Sequence, residues 1–359
     1  MANPSVELGF AEPVEEAWRL LSPQFPSKVG GRPAWLGEVG LPGSEALACG
    51  SCGRPCCFLL QLYAPSQEPR GFHRSLFVFC CRDPVCHLPG KSPPFHVFRN
   101  QLPRRNDTYS YNPPSVIPPP EGTACNILRL KSGVHLCRVC GCIAPKACSK
   151  CHSVHYCSKD HQVVDWKIGH KKLCSIQPES ESVIPDHGFL FPQYEIVTEP
   201  EELGSESESE KETDEDDEQN HAGSITAGIG TLLDDKDEKD LEALAKRETK
   251  EDKIFAHFKN KIAPEPKQVL RYSRGGDPLW ISGDHVPQDT DIPNCLCGAK
   301  RIFEFQVMPQ LLSHLNVDSI GDSIDWGTLA VFTCAENCGD EKEYCKEFLW
   351  KQDVATDPA

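Results

Sequence analysis

Two stretches of this chain, GGRPAWLGEVGLP from Gly30 and GGDPLWISGDHVP from Gly275, carry the same residues at the same spacing. At an offset of 245, Gly30, Gly31, Pro33, Trp35 and Pro42 meet Gly275, Gly276, Pro278, Trp280 and Pro287. The match continues through Cys52, Gly53, Phe58 and Gln61 onto Cys297, Gly298, Phe303 and Gln306. The offset then grows to 253, so that LFVFCC at 76–81 falls on LAVFTC at 329–334 and the second copy holds eight extra residues in one connection. Further on, Cys86 meets Cys338, and Phe98 and Arg99 meet Trp350 and Lys351. Composition does not produce such spacing. The chain holds a duplicated unit, and the two copies are expected to fold alike.

Within each copy the apolar runs are short, rich in aromatic and branched residues, and bounded by Gly and Pro. FLLQLYAP and SLFVFCC in the first copy and FEFQVMPQ and TLAVFTC in the second read as buried strands. The Gly-Gly and Pro-x-Trp signals mark turns, with Trp35 and Trp280 as large core anchors beside them. The expected fold is therefore β-rich α+β: two pseudo-symmetric antiparallel units packed into one body, residues 1–110 and 237–359. Both copies also space four cysteines as two close pairs about 30 residues apart, the way two knuckles present thiolates to one tetrahedral zinc. These are Cys49, Cys52, Cys81 and Cys86, and Cys295, Cys297, Cys334 and Cys338. The repeat chooses Cys81 over Cys80, because Cys81 falls on Cys334 while Cys80 falls on Thr333. Cys56, Cys57, Cys80, Cys125, Cys142 and Cys345 have no partners in this scheme and read as small core residues.

Between the copies stands CRVCGCIAPKACSKCHSVHYCSKDHQVVDWKIGHKKLC, at 137–174. Cys137 and Cys140, and Cys148 and Cys151, have knuckle spacing. Cys157 and His161, and His170 and Cys174, stand one helical turn apart and so face the same way on a short helix. Eight ligands in four pairs make two zinc ions. Such closed four-ligand sites leave no position for a reacting water, so the metal is structural and no enzyme is expected. No Ser/His/Asp, paired-carboxylate or phosphate-loop arrangement with usable spacing is present.

Twenty cysteines behind an N-terminus without an apolar signal core point to bound metal rather than disulfides. No apolar run is long enough to cross a bilayer, and a soluble cytoplasmic and nuclear protein is expected. The net charge of −16 argues against direct DNA binding. Residues 129–172 nevertheless carry a local excess of +7, which reads as a solvated face of the zinc module. Acids dominate 199–218, EPEELGSESESEKETDEDDE, inside a segment, 177–236, expected to be a disordered linker in which Ser205, Ser207 and Ser209 are candidate phosphorylation sites. The Pro-rich stretch 111–134 reads as a spacer on the other side, leaving the finger at 135–176 mobile on two tethers. Leu241, Leu244, Ala245, Ile254, Phe255, Phe258 and Ile262 form a helical apolar stripe expected to dock on the second unit.

The central segment resembles a MYND-type zinc finger, including the YC before the fifth ligand and the HKKLC close. That resemblance implies interleaved pairing: Cys137, Cys140, Cys157 and His161 on one zinc, and Cys148, Cys151, His170 and Cys174 on the other. It also implies binding of proline-rich peptides. The departure is His161, where the family usually has Cys. Methyltransferases share this finger, but their Asn-His-Ser and Gly-rich signatures have no counterpart here. The whole-chain pattern, GGxPxW, CG, FEFQVMPQLL and DWGTLAVFTC around a finger, resembles the programmed cell death protein 2 family. The resemblance implies a dedicated chaperone for a newly made ribosomal protein, universal small-subunit protein five (the eukaryotic S-two protein), in small-subunit assembly. An acidic escort suits such a basic client. The competing expectation is a nuclear adaptor that binds proline-rich corepressor peptides through the finger, in transcription regulation and apoptosis.

Overall fold

The computed structural model describes residues 5–120, 127–174, 184–202, 253–317 and 323–354. The apolar runs become strands. Before the finger come β1 (Glu7–Pro13), β2 (Lys28–Val29), β3 (Cys57–Tyr63), β4 (His73–Cys80) and β5 (Phe95–Leu102). The finger holds β6 (Lys146–Ala147), β7 (His155–Tyr156) and the helix α1 (Lys159–Asp165). After it come β8 (Tyr194–Pro200), β9 (Leu270–Tyr272), β10 (Arg301–Val307), β11 (Thr328–Cys334) and β12 (Cys345–Gln352).

The two copies share one body, as expected, and do so by contributing strands to one closed antiparallel barrel of order β1-β8-β2-β3-β4-β5-β12-β11-β10-β9. The copies meet at two seams: β12 pairs β5, with Glu347 opposite Val97 and Cys345 opposite Arg99, and β1 pairs β9, with Glu7 opposite Tyr272. Closing the sheet satisfies the edges that two separate meanders would expose. Details recur at the repeat offset. The β3–β4 ladder shifts register between Phe58 and Leu60, and the β10–β11 ladder between Phe303 and Phe305. Gln61 brackets Ala34, accepting from its N–H at 2.8 Å and donating to its carbonyl at 3.2 Å. Gln306 does the same to Leu279, at 2.6 and 2.9 Å.

Strand β4 explains why its sequence reads as an unbroken apolar run: all eight residues are buried. Leu76, Val78 and Cys80 point into the barrel with Leu60, Phe305, Val331 and Trp326, while Phe77 and Phe79 point outward into a second core shared with the finger. The extra residues of the second copy include the short helix Leu311–His314. Its Leu311 enters the barrel core together with Trp326. Residues 253–262 are helical, and Phe258 packs with Ile281 and Met308, so the described part of the apolar stripe docks on the second copy; its earlier part lies outside the described residues.

Two expectations are corrected. The segment 177–236 is not wholly a linker, since Tyr194–Pro200 forms β8 and pairs with both β1 and β2. Its alternation is masked by Glu195, Glu199 and Pro200, which is why acidity alone reads as a tether. Most of the acidic run, with Ser205, Ser207 and Ser209, lies outside the described residues. Nor does the finger hang from its tethers: Leu136, Val139, Cys142 and Tyr156 are buried in one cluster with Trp35, Phe77 and Phe79 of the first copy. The Trp35 indole donates to the Gly141 carbonyl at 2.8 Å, and Arg32 donates to the Arg138 carbonyl at 2.7 Å. Gly141 sits at φ 74°, and a Cβ there would lie 2.8 Å from Arg32, so the docking turn requires glycine.

Candidate metal centres

In the finger, β6 and β7 carry the knuckle cysteines towards α1, whose N-cap Ser158 accepts from the His161 N–H at 3.2 Å and fixes the start of the helix. Beyond α1 a π-turn, Trp166–His170, rotates His170 onto the same side as Cys174. The sixteen side chains singled out in the sequence fall into four groups, each with its donor atoms within 4.8 Å of one another. They are Cys49, Cys52, Cys81 and Cys86; Cys137, Cys140, Cys157 and His161; Cys148, Cys151, His170 and Cys174; and Cys295, Cys297, Cys334 and Cys338. The finger's groups therefore interleave as the resemblance implies.

Most spacings within the groups fit zinc, while Cys295–Cys338 at 3.3 Å and Cys157–His161 Nδ1 at 3.1 Å are shorter. A tetrahedral site with Zn–S near 2.3 Å has sulfur–sulfur edges of about 3.8 Å, and about 3.5 Å where one donor is a histidine nitrogen. Cys52 and Cys81 are 3.7 Å apart, Cys140 and Cys157 3.6 Å, Cys148 and Cys174 3.8 Å, and Cys297 and Cys334 3.6 Å. Cys137 lies 3.6 Å from His161 Nδ1, and Cys151 lies 3.5 Å from His170 Nε2. The two histidines thus offer different nitrogens, which sequence spacing leaves open. Among the described residues His161 Nε2 has no hydrogen-bond partner; the ring stands edge-on to Phe189 at 4.3 Å.

Thiol electrostatics separate the groups from the other cysteines. Burial alone would raise the Cys52 thiol, but Arg54 outweighs it and brings the group to about 6. The backbone N–H of Ala299 brings Cys297 to about 7. Cys148, against its burial, is brought to about 6 by backbone N–H groups at Cys151 and Lys150 and by His170. Their partners move the other way: burial and then the neighbouring thiols push Cys81 up to about 12, and Cys86 and Cys338 are raised from the same causes. A divalent cation removes that repulsion. Cys57, by contrast, is raised to about 12 by burial inside the barrel, and Cys56 and Cys80 are also raised, burial first. Cys142 is buried in the finger's core and Cys345 is half-buried. Cys125 lies outside the described residues.

The two barrel groups occupy equivalent places. Cys49 and Cys52 precede β3 and Cys81 and Cys86 follow β4, while Cys295 and Cys297 precede β10 and Cys334 and Cys338 follow β11. Each group therefore fastens the open end of a hairpin. Sequence reading missed the charges beside them. Arg74 and Glu304, both buried, form an ion pair from one copy to the other, with Nη2 2.7 Å from Oε2. Arg99 and Glu347 form a second pair, at 2.8 Å, and Arg301 joins Glu347 at 3.0 Å. The signal was present: Arg74, Arg99, Glu304 and Glu347 are charges inside apolar strands.

A barrel carrying two four-cysteine groups that could hold a metal, with a zinc finger docked on it, defines a zinc-finger protein built on a β-barrel. MYND fingers bind zinc, and a MYND finger matches at 137–174, flanked by matches to the programmed cell death protein 2 N-terminal domain at 5–116 and its C-terminal putative domain at 252–353. The chain is 56% identical to programmed cell death protein 2 of Mus musculus, covering 98% of both chains, and it belongs to that family. It is 29% identical to programmed cell death protein 2-like of Homo sapiens over 87% of this chain and 85% of the relative. It is 26% identical to a probable 20S rRNA accumulation protein 4 of Schizosaccharomyces pombe, over 88% of each. No solved structure matches the chain.

Proposed function

We propose that this protein is a non-catalytic escort for a newly made small-subunit ribosomal protein, universal small-subunit protein five, in the cytoplasm and nucleus. The observation that carries the reading is the relationship to a fission-yeast protein named for accumulation of 20S rRNA. The net charge of −16 supports it, because basic ribosomal proteins need a counter-charge before they meet RNA. The barrel interior is filled with side chains, so a client binds outside it. The finger covers the outer face of the first copy, whereas the equivalent face of the second copy leaves Trp280, Phe348 and Trp350 half-buried. On this reading the two copies form one pseudo-symmetric body, and its uncovered face meets the client. Affinity purification from cells tests it. Recovery of the ribosomal protein with the wild type, and its loss with Phe348→Asp and Trp280→Ala together, is expected. Recovery of chromatin factors without ribosomal protein overturns the reading.

One observation favours the finger as an adaptor for proline-rich peptides: Val163, Ile168 and Leu173, on and beyond α1, are 40%, 47% and 39% exposed. Exposed apolar side chains of this kind can anchor a bound peptide. If Ile168→Asp removes a set of bound proteins while the ribosomal protein stays, the finger serves this second role.

A further inference from the structure

Between the barrel and the finger lies a cavity of about 240 Å³, lined by Leu20, Trp35 and Leu136 and by Lys28, Arg32 and Gln193. No described Asp or Glu lines it. Lys28 is 3% exposed, and its ammonium donates to the Arg32 carbonyl at 2.8 Å. Glu195 stands opposite Lys28 in the β2–β8 ladder but turns to Arg19, at 3.4 Å. An ammonium held out of water without a counter-charge is costly, and burial accordingly pushes Lys28 down to about 7. Arg32, at the same wall, reaches across to the finger through the Arg138 carbonyl. The cavity thus joins two cationic side chains to an apolar wall.

We propose that this cavity binds the C-terminal residue of a partner polypeptide, its carboxylate on Lys28 and an apolar side chain against Leu20, Trp35 and Leu136. Size and chemistry select that occupant. A cavity of about 150 Å³ holds benzene, so this one takes one residue rather than a folded segment. An internal Asp or Glu supplies the carboxylate without the apolar group, and an internal proline-rich peptide supplies neither terminus nor charge. Among the residues of a polypeptide, a chain end carries both on one residue. The terminal carboxylate also gives the buried ammonium, already bonded to the Arg32 carbonyl, the counter-charge that no described residue lining the cavity supplies.

The test uses the full zinc-loaded chain with N-acetyl-L-leucine and N-acetyl-L-leucinamide as probes, followed by saturation-transfer NMR. The acid is expected to bind with its methyl groups saturated, and the amide about tenfold or more weaker, since only the charge differs. Lys28→Met, with zinc content and circular dichroism unchanged, is expected to abolish the preference for the acid. Equal binding of acid and amide by the wild type, no binding of the acid, or displacement of the acid by acetate at equal concentration overturns the proposal. The wild-type comparison stands even if the variant does not fold.

Discussion

At the scale of single residues, the internal charges carry more of the fold than their number suggests. Removing Glu304 leaves Arg74 buried without its partner, so Glu304→Ala is expected to cost about 3–5 kcal/mol in urea unfolding. Burial would raise the Glu304 carboxyl, but Arg74, Thr333 and Arg274 outweigh it and hold it below the usual glutamate value. A depressed carboxyl contributes stability in full at neutral pH and loses it as pH falls through and below the ordinary glutamate range. Stability of the wild type is therefore expected to fall more steeply with acid than that of Glu304→Gln; parallel curves would contradict the assignment. The two repeated tryptophans differ in a measurable way. Trp35 is 2% exposed and packs on Phe77, Phe79 and Tyr344, so Trp35→Ala is expected to cost about 3–5 kcal/mol, whereas half-buried Trp280 loses less. Thermal unfolding of both variants checks the order.

At the scale of elements, the hairpin is the unit that metal completes. The cluster at the open end of β3–β4 joins segments that would otherwise fray, and the same holds for β10–β11. Cys334→Ser is expected to release one zinc per chain and to leave the finger's metal in place, as elemental analysis with native mass spectrometry reads directly. Loss of all the zinc would mean that the barrel and finger sites depend on one another. The ligand residues were legible because thiolate spacing is local and the repeat supplies an internal check on Cys81. Strand β8 was not legible: its apolar residues are few, and its pairing to β1 and β2 is decided by distant partners. Docking of the finger was equally hidden, since Gly141 and Arg138 contribute backbone carbonyls that any residue would carry. It predicts that finger and barrel amides share one rotational correlation time in 15N relaxation. Faster tumbling of 137–174 would restore the tethered picture.

At the scale of the whole molecule, two copies of one unit close a single barrel, joined by β5–β12 and β1–β9 pairing and by Arg74–Glu304 and Arg99–Glu347. The β-rich class and the four cysteine groups follow from the repeat and from spacing. Closure does not, because it depends on how the copies meet edge to edge rather than on either copy alone. Zinc is expected to act as scaffolding, holding both hairpins as well as the finger. The most direct test of this role is the zinc content of the purified chain per mole of protein. Four equivalents are expected, with loss of folded structure on chelation; two equivalents, confined to the finger, would contradict it.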